Sequence, residues 1–329
     1  MEIAPGIHMI TGTVGTRPLQ LFLLNGEHRR VLLDTGCAPD PERLVMPYLE
    51  SLGLGPADLD LVIVTHPDTD HCGGNSAIRK ANPKVLIACG EADRELVERP
   101  DVLWSRRYNA YCDRHCLCYG EEVRRWNFEM LGSAAPVDFT WTGFGTLRLE
   151  PGWVVEIHLT PGHSPGHLSV YDPRSRTVLI GDAVQGSVYL DTEGRPALCP
   201  TYLHVDSYLA TVRYLRTLGP ETLAGCHWPV KRGPEVDAFL AETANFVEMA
   251  EREVLAALQC SPSGASLREI IGAVSPRLGG WPPETSNELM YALSGHVDRL
   301  AAIGKIVGDE RARPWRYFRR TALPEKRTS

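Results

Sequence analysis

Through the first third of the chain, apolar residues come in short runs cut by turn residues, which is the pattern of strands separated by loops and short helices. Ile7–Thr11, Leu21–Leu24 and Arg30–Leu33 read as strands, and Pro41–Leu52 has the apolar spacing of a helix. Leu59–Val64 is a continuous apolar run, which predicts a strand buried on both faces. Asn75–Ala81 follows as a helix, Val85–Ala88 as a strand and Glu91–Val97 as a helix. Residues 100–142 break the pattern. They carry Trp104, Tyr108, Tyr111, Tyr119, Trp126, Phe128, Phe139 and Trp141 with Arg106, Arg107, Arg114, Arg124 and Arg125, and no period holds. Such a segment is an insertion, either a decoration with its own small core or a lid that shapes a pocket. Strand-like runs return at Thr146–Leu149, Val154–Leu159, Leu168–Tyr171 and Thr177–Ile180, the last two joined by a turn at Asp172-Pro-Arg-Ser-Arg176. Asp206 stands where a helix running to Leu218 needs its N-cap. A short strand Thr222–Ala224 and a helix from Pro234 to about Leu258 complete this part.

At Ser261-Pro-Ser-Gly264 the character changes. Leu267–Val274 and Glu288–Ile303 are amphipathic, and Lys305–Val307 and Trp315–Phe318 resemble two strands around a turn. Helix, helix and hairpin is the pattern of a winged-helix module, so a domain of residues 1–258 and a second of 261–329 are expected.

The chain has 329 residues and a formal net charge of -7, which argues against nucleic acid as the partner of the whole molecule. The end is locally basic, with Arg311, Arg313, Arg316, Arg319, Arg320, Lys326 and Arg327 against Glu325. No secretory signal pattern and no membrane-length apolar run is seen, and the nine cysteines lack framework spacing, so a cytoplasmic protein with reduced thiols is expected. Cys112, Cys116 and Cys118 are the tightest group, and a zinc knot or redox site is the alternative there.

Chemistry gathers at the ends of predicted strands. His66, Asp68, Asp70 and His71 fall within six residues of Thr-His-Pro-Asp-Thr-Asp-His-Cys-Gly-Gly, directly after the apolar run. Such side chains crowd together only if something positive compensates them: one zinc takes about four ligands, and two ions share a larger set. His163 comes on the Pro/Gly-constrained loop Thr160-Pro-Gly-His-Ser-Pro-Gly-His167, Asp182 directly after a buried strand, and His227 at another strand end. An uncompensated carboxylate at position 182 would be costly, whereas one bridging two cations is natural.

In that order these motifs resemble the metallo-β-lactamase superfamily over residues 1–258: Asp34 in Leu-Leu-Asp-Thr-Gly, the His66–His71 run, His163, Asp182 and His227. The resemblance implies an α/β fold, the αββα sandwich, here with a small C-terminal α+β winged-helix-like domain. It implies two divalent metal ions, zinc above all. The first would be held by His66, Asp68, His163 and Asp182, the second by Asp70, His71, His227 and Asp182, with Asp182 bridging and Asp34 orienting the ligand loop. Asp70, His71 and Asp182 would be the catalytic residues. The segments around His163 and Asp182 are similar to the glyoxalase II and lactonase branch, and the C-terminal pattern to lactamase-like endoribonucleases and hydrolases that append a winged helix.

Asp68 departs from the family, which has His there. An Asp reaches a metal with little backbone movement, and its harder oxygen suits iron or manganese. The expected function is a dinuclear metal-dependent hydrolase of an ester, thioester or lactone-type small molecule. An iron-dependent oxidoreductase and an RNA-processing nuclease using the winged helix are the alternatives. Tyr202, His204, Tyr208 and Trp228 are the expected substrate contacts. Dimerisation or pocket closure is the expected role of the winged helix ahead of nucleic-acid binding, and a homodimer is among the expectations.

Overall fold

The computed structural model describes residues 1–320. Glu325, Lys326 and Arg327 of the basic end lie outside them.

The first sheet runs in chain order: β1 (Glu2–Ala4), β2 (Ile7–Val14), β3 (Arg17–Asn25), β4 (Arg30–Leu33), β5 (Leu61–Ile63), β6 (Leu86–Gly90) and β7 (Phe139–Trp141). The first four are antiparallel neighbours and the last four parallel ones. After it come β8 (Gly145–Glu150), β9 (Trp153–Leu159), β10 (Leu168–Asp172), β11 (Thr177–Gly181), the ribbon β12 (Tyr189–Leu190) and β13 (Pro196–Leu198), then β14 (Thr222–Gly225) and β15 (Lys231–Arg232). The second sheet has the order β15-β14-β11-β10-β9-β8, with β11 and β14 parallel.

The apolar runs explain the layers. Successive side chains of a strand face opposite sides. In β3, Phe22 and Leu24 join the core between the sheets, while Leu19, Leu21 and Leu23 face outward. In β5, Leu61 and Ile63 face the opposite sheet and Val62 faces out. The outward set packs under α1 (Met46–Ser51), α3 (Asn75–Ala81) and α4 (Arg94–Glu98), through Leu49, Ile78 and Val97. In β11, Leu179 faces inward while Val178 and Ile180 meet α8 (Val205–Thr217) and α9 (Pro234–Gln259). The result is helices, sheet, sheet, helices, the expected αββα sandwich.

The segment between β6 and β7 holds α5 (Pro100–Leu103), α6 (Cys112–His115) and α7 (Glu121–Leu131). Residues 139–141, read from sequence as part of the insertion, are instead the edge strand of the first sheet. Cys112 and Cys118 are joined in a disulfide, which corrects the expectation of reduced thiols throughout and takes two of the three cysteines away from the alternative zinc knot. Cys116 adopts a left-handed backbone conformation (φ 53°) that turns the chain back and brings the Cα atoms of 112 and 118 within 4.6 Å.

Beyond α9 the elements are β16 (Ala265–Ser266), α10 (Leu267–Leu278), α11 (Leu289–Ala302), β17 (Ile306–Asp309) and β18 (Arg316–Arg319), with a sheet ordered β16-β18-β17. Ser266 caps α10: its hydroxyl accepts from the Glu269 amide, and the Glu269 carboxylate accepts from the Ser266 amide. Residues 289–297 of α11 are all buried, and Gly295 passes so close to the Leu203 carbonyl that no Cβ would fit between them. This helix is clamped onto the rest of the molecule.

Asp206 does not cap α8. His204 holds that position without a side-chain cap, and Asp206 pairs with Arg299 of α11 at 2.7 Å.

Candidate metal centre

Every motif residue stands just past the carboxyl end of a strand on one edge of the sandwich: Asp34 after β4, the His66–His71 run after β5, His163 after β9, Asp182 after β11 and His227 after β14. The run bends into a short helix α2 (Thr69–Cys72), which points Asp70 and His71 inward. Gly181 (φ +48°) makes the sharp exit from β11, and a Cβ there would meet the Thr65 hydroxyl at 2.7 Å. Asp182 is held in turn through its amide, which donates to Nε2 of buried His167 at 3.1 Å, leaving the His167 Nδ1 proton for Thr160 Oγ1 at 3.0 Å.

His71, Asp182, Cys226 and His227 form one buried group of potential ligands. Nε2 of His227 lies 3.3 Å from Asp70 Oδ2 and 3.8 Å from Asp182 Oδ1, and Nε2 of His71 lies 3.8 Å from Asp182 Oδ1. His71 Nε2 and Asp182 Oδ1 are buried without a hydrogen-bond partner. The far side of each imidazole is fixed: His71 Nδ1 donates to Asp34 Oδ2 at 2.8 Å and His227 Nδ1 to the Pro18 carbonyl at 2.7 Å. Both lone pairs therefore turn inward, as metal-ligating histidines require. Asp34 is held by the Thr65 amide at 2.7 Å and the Thr65 hydroxyl at 2.8 Å.

The electrostatics point the same way. Burial opposes the charged forms of His71 and His227. Cys226 with Asp34 at His71, and Cys226 with Asp182 and Asp70 at His227, together outweigh it, and both pKa values are held well above the imidazole norm. Asp70 stays ionised despite burial, because His227 and His71 face it. This pocket attracts positive charge, and two imidazoles with two carboxylates at these separations fit a divalent ion.

A second group is His66, Asp68 and His163. The two groups stand where the resemblance to the family places the two ions of a dinuclear site. Asp68 has further partners that the sequence reading did not foresee. Arg107, from the insertion, forks onto it, with Nε on Oδ1 and Nη2 on Oδ2 at 2.7 Å. Burial would raise the Asp68 pKa, but Arg107 with His163 and His66 pulls it well below the carboxylate range. Its neighbour Tyr108 donates to Asp68 Oδ1 at 3.3 Å and accepts from the Thr69 amide at 3.0 Å.

Asp68, Asp70, Asp182 and His227 open onto a cavity of about 300 Å³. Trp104, Tyr108, Tyr119 and Trp126 of the insertion, Tyr189 of β12 and Tyr291 of α11 give it aromatic walls, and Arg17 and Glu288 add charge. Burial pushes the Glu288 pKa up, and Tyr119 donates to its carboxylate at 2.6 Å.

The expected substrate contacts do not line this cavity. Tyr202 and Tyr208 are fully buried, stacked at 4.4 Å in the core shared with the C-terminal elements, and the Tyr202 hydroxyl meets His296 at 2.8 Å. Trp228 packs on Tyr189 and Phe239 and donates to the Val188 carbonyl. His204 opens on a different groove with Arg114 and Asp298. Four of the aromatic walls come from the segment 100–142, read from sequence as a decoration or a lid, whereas no spacing in the chain signals Tyr189 and Tyr291.

A family model described as the metallo-beta-lactamase superfamily matches residues 16–227. Two solved structures are similar along nearly the whole chain. A metallo-beta-lactamase family protein from Thermus thermophilus has 19% identity and a TM-score of 0.75, covering 97% of this chain and 100% of that one. A beta-lactamase domain protein from Burkholderia ambifaria has 17% identity and a TM-score of 0.74, covering 97% and 93%. A metallo-beta-lactamase from Pontibacter korlensis, with 16% identity and a TM-score of 0.51, covers 74% of this chain and 96% of its own.

Proposed function

The chain belongs to the metallo-beta-lactamase superfamily, and on that premise we propose that it is a metal-dependent hydrolase of a small ester, thioester or lactone. Most members of the superfamily are metal-dependent hydrolases. The observation that carries the reading is the convergence of His71 Nε2 and Asp182 Oδ1, buried and unpartnered, with His227 and Asp70 at the floor of an aromatic cavity. A divalent cation held there supplies Lewis acidity and lowers the pKa of water in its reach.

The chain's own residues do the rest. Asp34 fixes the imidazole of His71, and the Pro18 carbonyl fixes that of His227. Tyr189 donates to Asp182 Oδ2 at 2.8 Å and so aims Oδ1 at the centre. Asp70, ionised and at the cavity edge, is placed to orient a water. The aromatic walls exclude bulk solvent and favour an organic acyl group of modest size.

The size of the cavity also supports a small molecule over RNA. Helix α11 is buried over residues 289–297 and contributes Tyr291 to the cavity wall, which leaves it little face to offer a nucleic-acid groove. Several basic residues near the end are engaged within the chain: Arg316 with the Gly264 carbonyl at 2.6 Å, Arg319 with the Leu255 carbonyl at 2.9 Å and Arg311 with Asp309 at 3.2 Å.

The test is a screen of aryl esters, thioesters and lactones with protein stripped of metal and then reloaded. Turnover that requires the ion and disappears in folded His71→Ala is expected. Turnover that survives chelation, or persists in His71→Ala, would refute the proposal.

A further inference from the structure

Of the two ligand groups, the one made of His66, Asp68 and His163 has an arginine side chain within it. We infer that the Arg107 guanidinium takes the place of the first metal ion, so that this chain loads a single ion, at His71, His227, Asp70 and Asp182. The inference rests on the metal reading above and concerns how many ions the site takes.

Asp68 has no oxygen to offer. Oδ1 accepts from Arg107 Nε and from the Tyr108 hydroxyl, and Oδ2 accepts from Arg107 Nη2 at 2.7 Å while lying 2.8 Å from His163 Nε2. Both Arg107 and Asp68 are deep in the protein, with side-chain exposures of 6% and 17%, and a forked Arg–carboxylate pair in that setting is held by geometry as well as charge.

His163 is likewise engaged. Gln185 accepts from the Thr201 amide through Oε1 at 2.8 Å, which orients its amide group so that Nε2 donates to His163 Nδ1 at 3.0 Å. The ring proton then sits on Nε2, directed to Asp68. In the other tautomer, Nε2 would accept from Arg107 Nη2, 2.9 Å away. In neither is a lone pair of Nε2 open to a metal. Arg107 Nη1 also donates to the His163 carbonyl at 3.1 Å, so the guanidinium grips both the ring and the backbone of that residue.

The bridging position is closed from the other side as well. Asp182 Oδ2, the oxygen that could reach toward the first group, accepts from Tyr189 at 2.8 Å and faces Gln185 Nε2 at 3.5 Å. What remains in the first group is His66 Nε2, 3.4 Å from Asp68 Oδ2 and without a hydrogen-bond partner. One nitrogen does not make a site for an ion that takes about four ligands.

The exchange lowers the charge at this position by two. His in place of Asp68 would leave a neutral group for a dication. Asp68 with Arg107 is a neutral pair that presents a fixed cation beside the reaction centre and no exchangeable coordination position. The arrangement also leaves no pair of neighbouring ions for two-metal redox chemistry.

The experiment is metal stoichiometry. Wild type, His163→Ala and His71→Ala would be equilibrated by dialysis with excess Zn2+, and separately with Co2+, freed of loose ion, and measured by elemental analysis and Co2+ visible absorption, with circular dichroism checking the fold. One equivalent in wild type and in His163→Ala, and none in His71→Ala, is expected. Two equivalents in wild type, or loss of an equivalent in His163→Ala, would overturn the inference while leaving the metal reading intact. No ion in wild type would overturn both. Should His163→Ala fail to fold, wild-type stoichiometry decides alone: one equivalent supports the inference and two refute it.

Discussion

Asp34 sits in the left-handed region at φ +59°, where Asn is tolerated better than most side chains. Asp34→Asn therefore keeps the turn and the bond from the Thr65 amide, while it weakens the anchor of His71. A loss of about 10–100-fold in metal affinity is expected, measured by competition with a chromogenic chelator. An unchanged affinity would mean that Asp34 serves the loop alone. Asp93 makes a different kind of prediction. Its carboxyl accepts from Ser164, on the loop that carries His163, and burial pushes its pKa up to about 6 in spite of that bond. The folded pKa exceeds the unfolded value of about 3.9, so the native state holds the proton more tightly. The stabilisation is complete below about pH 4, is lost as pH rises to about 6, and amounts to about 3 kcal/mol over that window. Asp93→Asn cannot lose it. The melting temperature of the variant relative to wild type should rise between pH 4 and pH 7 and then level off, and a flat difference would refute the assignment.

At the scale of elements, the strands were the most legible part of the chain. The run Leu59–Val64 predicted a strand buried on both faces and Thr177–Ile180 a buried one, and the helices outside the sandwich supply each with its second apolar neighbour. Helix starts were less legible. Asp206 has the residue type of a cap, yet Arg299 draws it away, a partner 93 residues distant. Ser266 fulfils its capping role with Glu269, and Ser266→Ala should cost about 1 kcal/mol, read as a lower melting temperature with the fold retained. Residues 100–142 have no period because most of their helices are short and their side chains pack in several directions, Trp104 against Tyr108, Tyr119 and Phe128 within the segment and others against distant segments. Tyr111 meets Tyr291 edge to face at 5.1 Å, and Arg114 lies over the Trp315 ring at 4.5 Å and pairs with Asp298.

Those contacts join the insertion, the sandwich and the C-terminal elements into one body. The core around Tyr202, Tyr208 and Phe246 continues through Ile270, Leu293 and Tyr317 without a break. The change of pattern near residue 260 is real in sequence, since α9 ends at Gln259, but the hydrophobic core crosses it. Removing residues 261–329 would bare the faces of α8 and α9 that α10 and α11 cover. The shortened chain is expected to bind a hydrophobic dye and to lose the cooperative melting transition of the full protein. A transition at the original temperature would show that the two parts fold independently. Among the described residues no helix is long and apolar enough to cross a membrane.

The amino-acid sequence by itself marked most of the strands and the residues at the sandwich edge, and the sandwich followed from the resemblance those motifs carry. Strand patterning is a local property, and His66, Asp70, His71, His163, Asp182 and His227 all lie in the segments that follow strands readable from their own apolar runs. It also singled out Asp68 as the position where the site departs from its relatives. Only the tertiary structure decided what compensates that carboxylate. A buried anion needs a cation, and either a metal or an arginine satisfies the requirement. The choice depended on which of several arginines in an aperiodic segment comes to rest 2.7 Å from Asp68 Oδ2, a contact across 39 residues that no local pattern encodes.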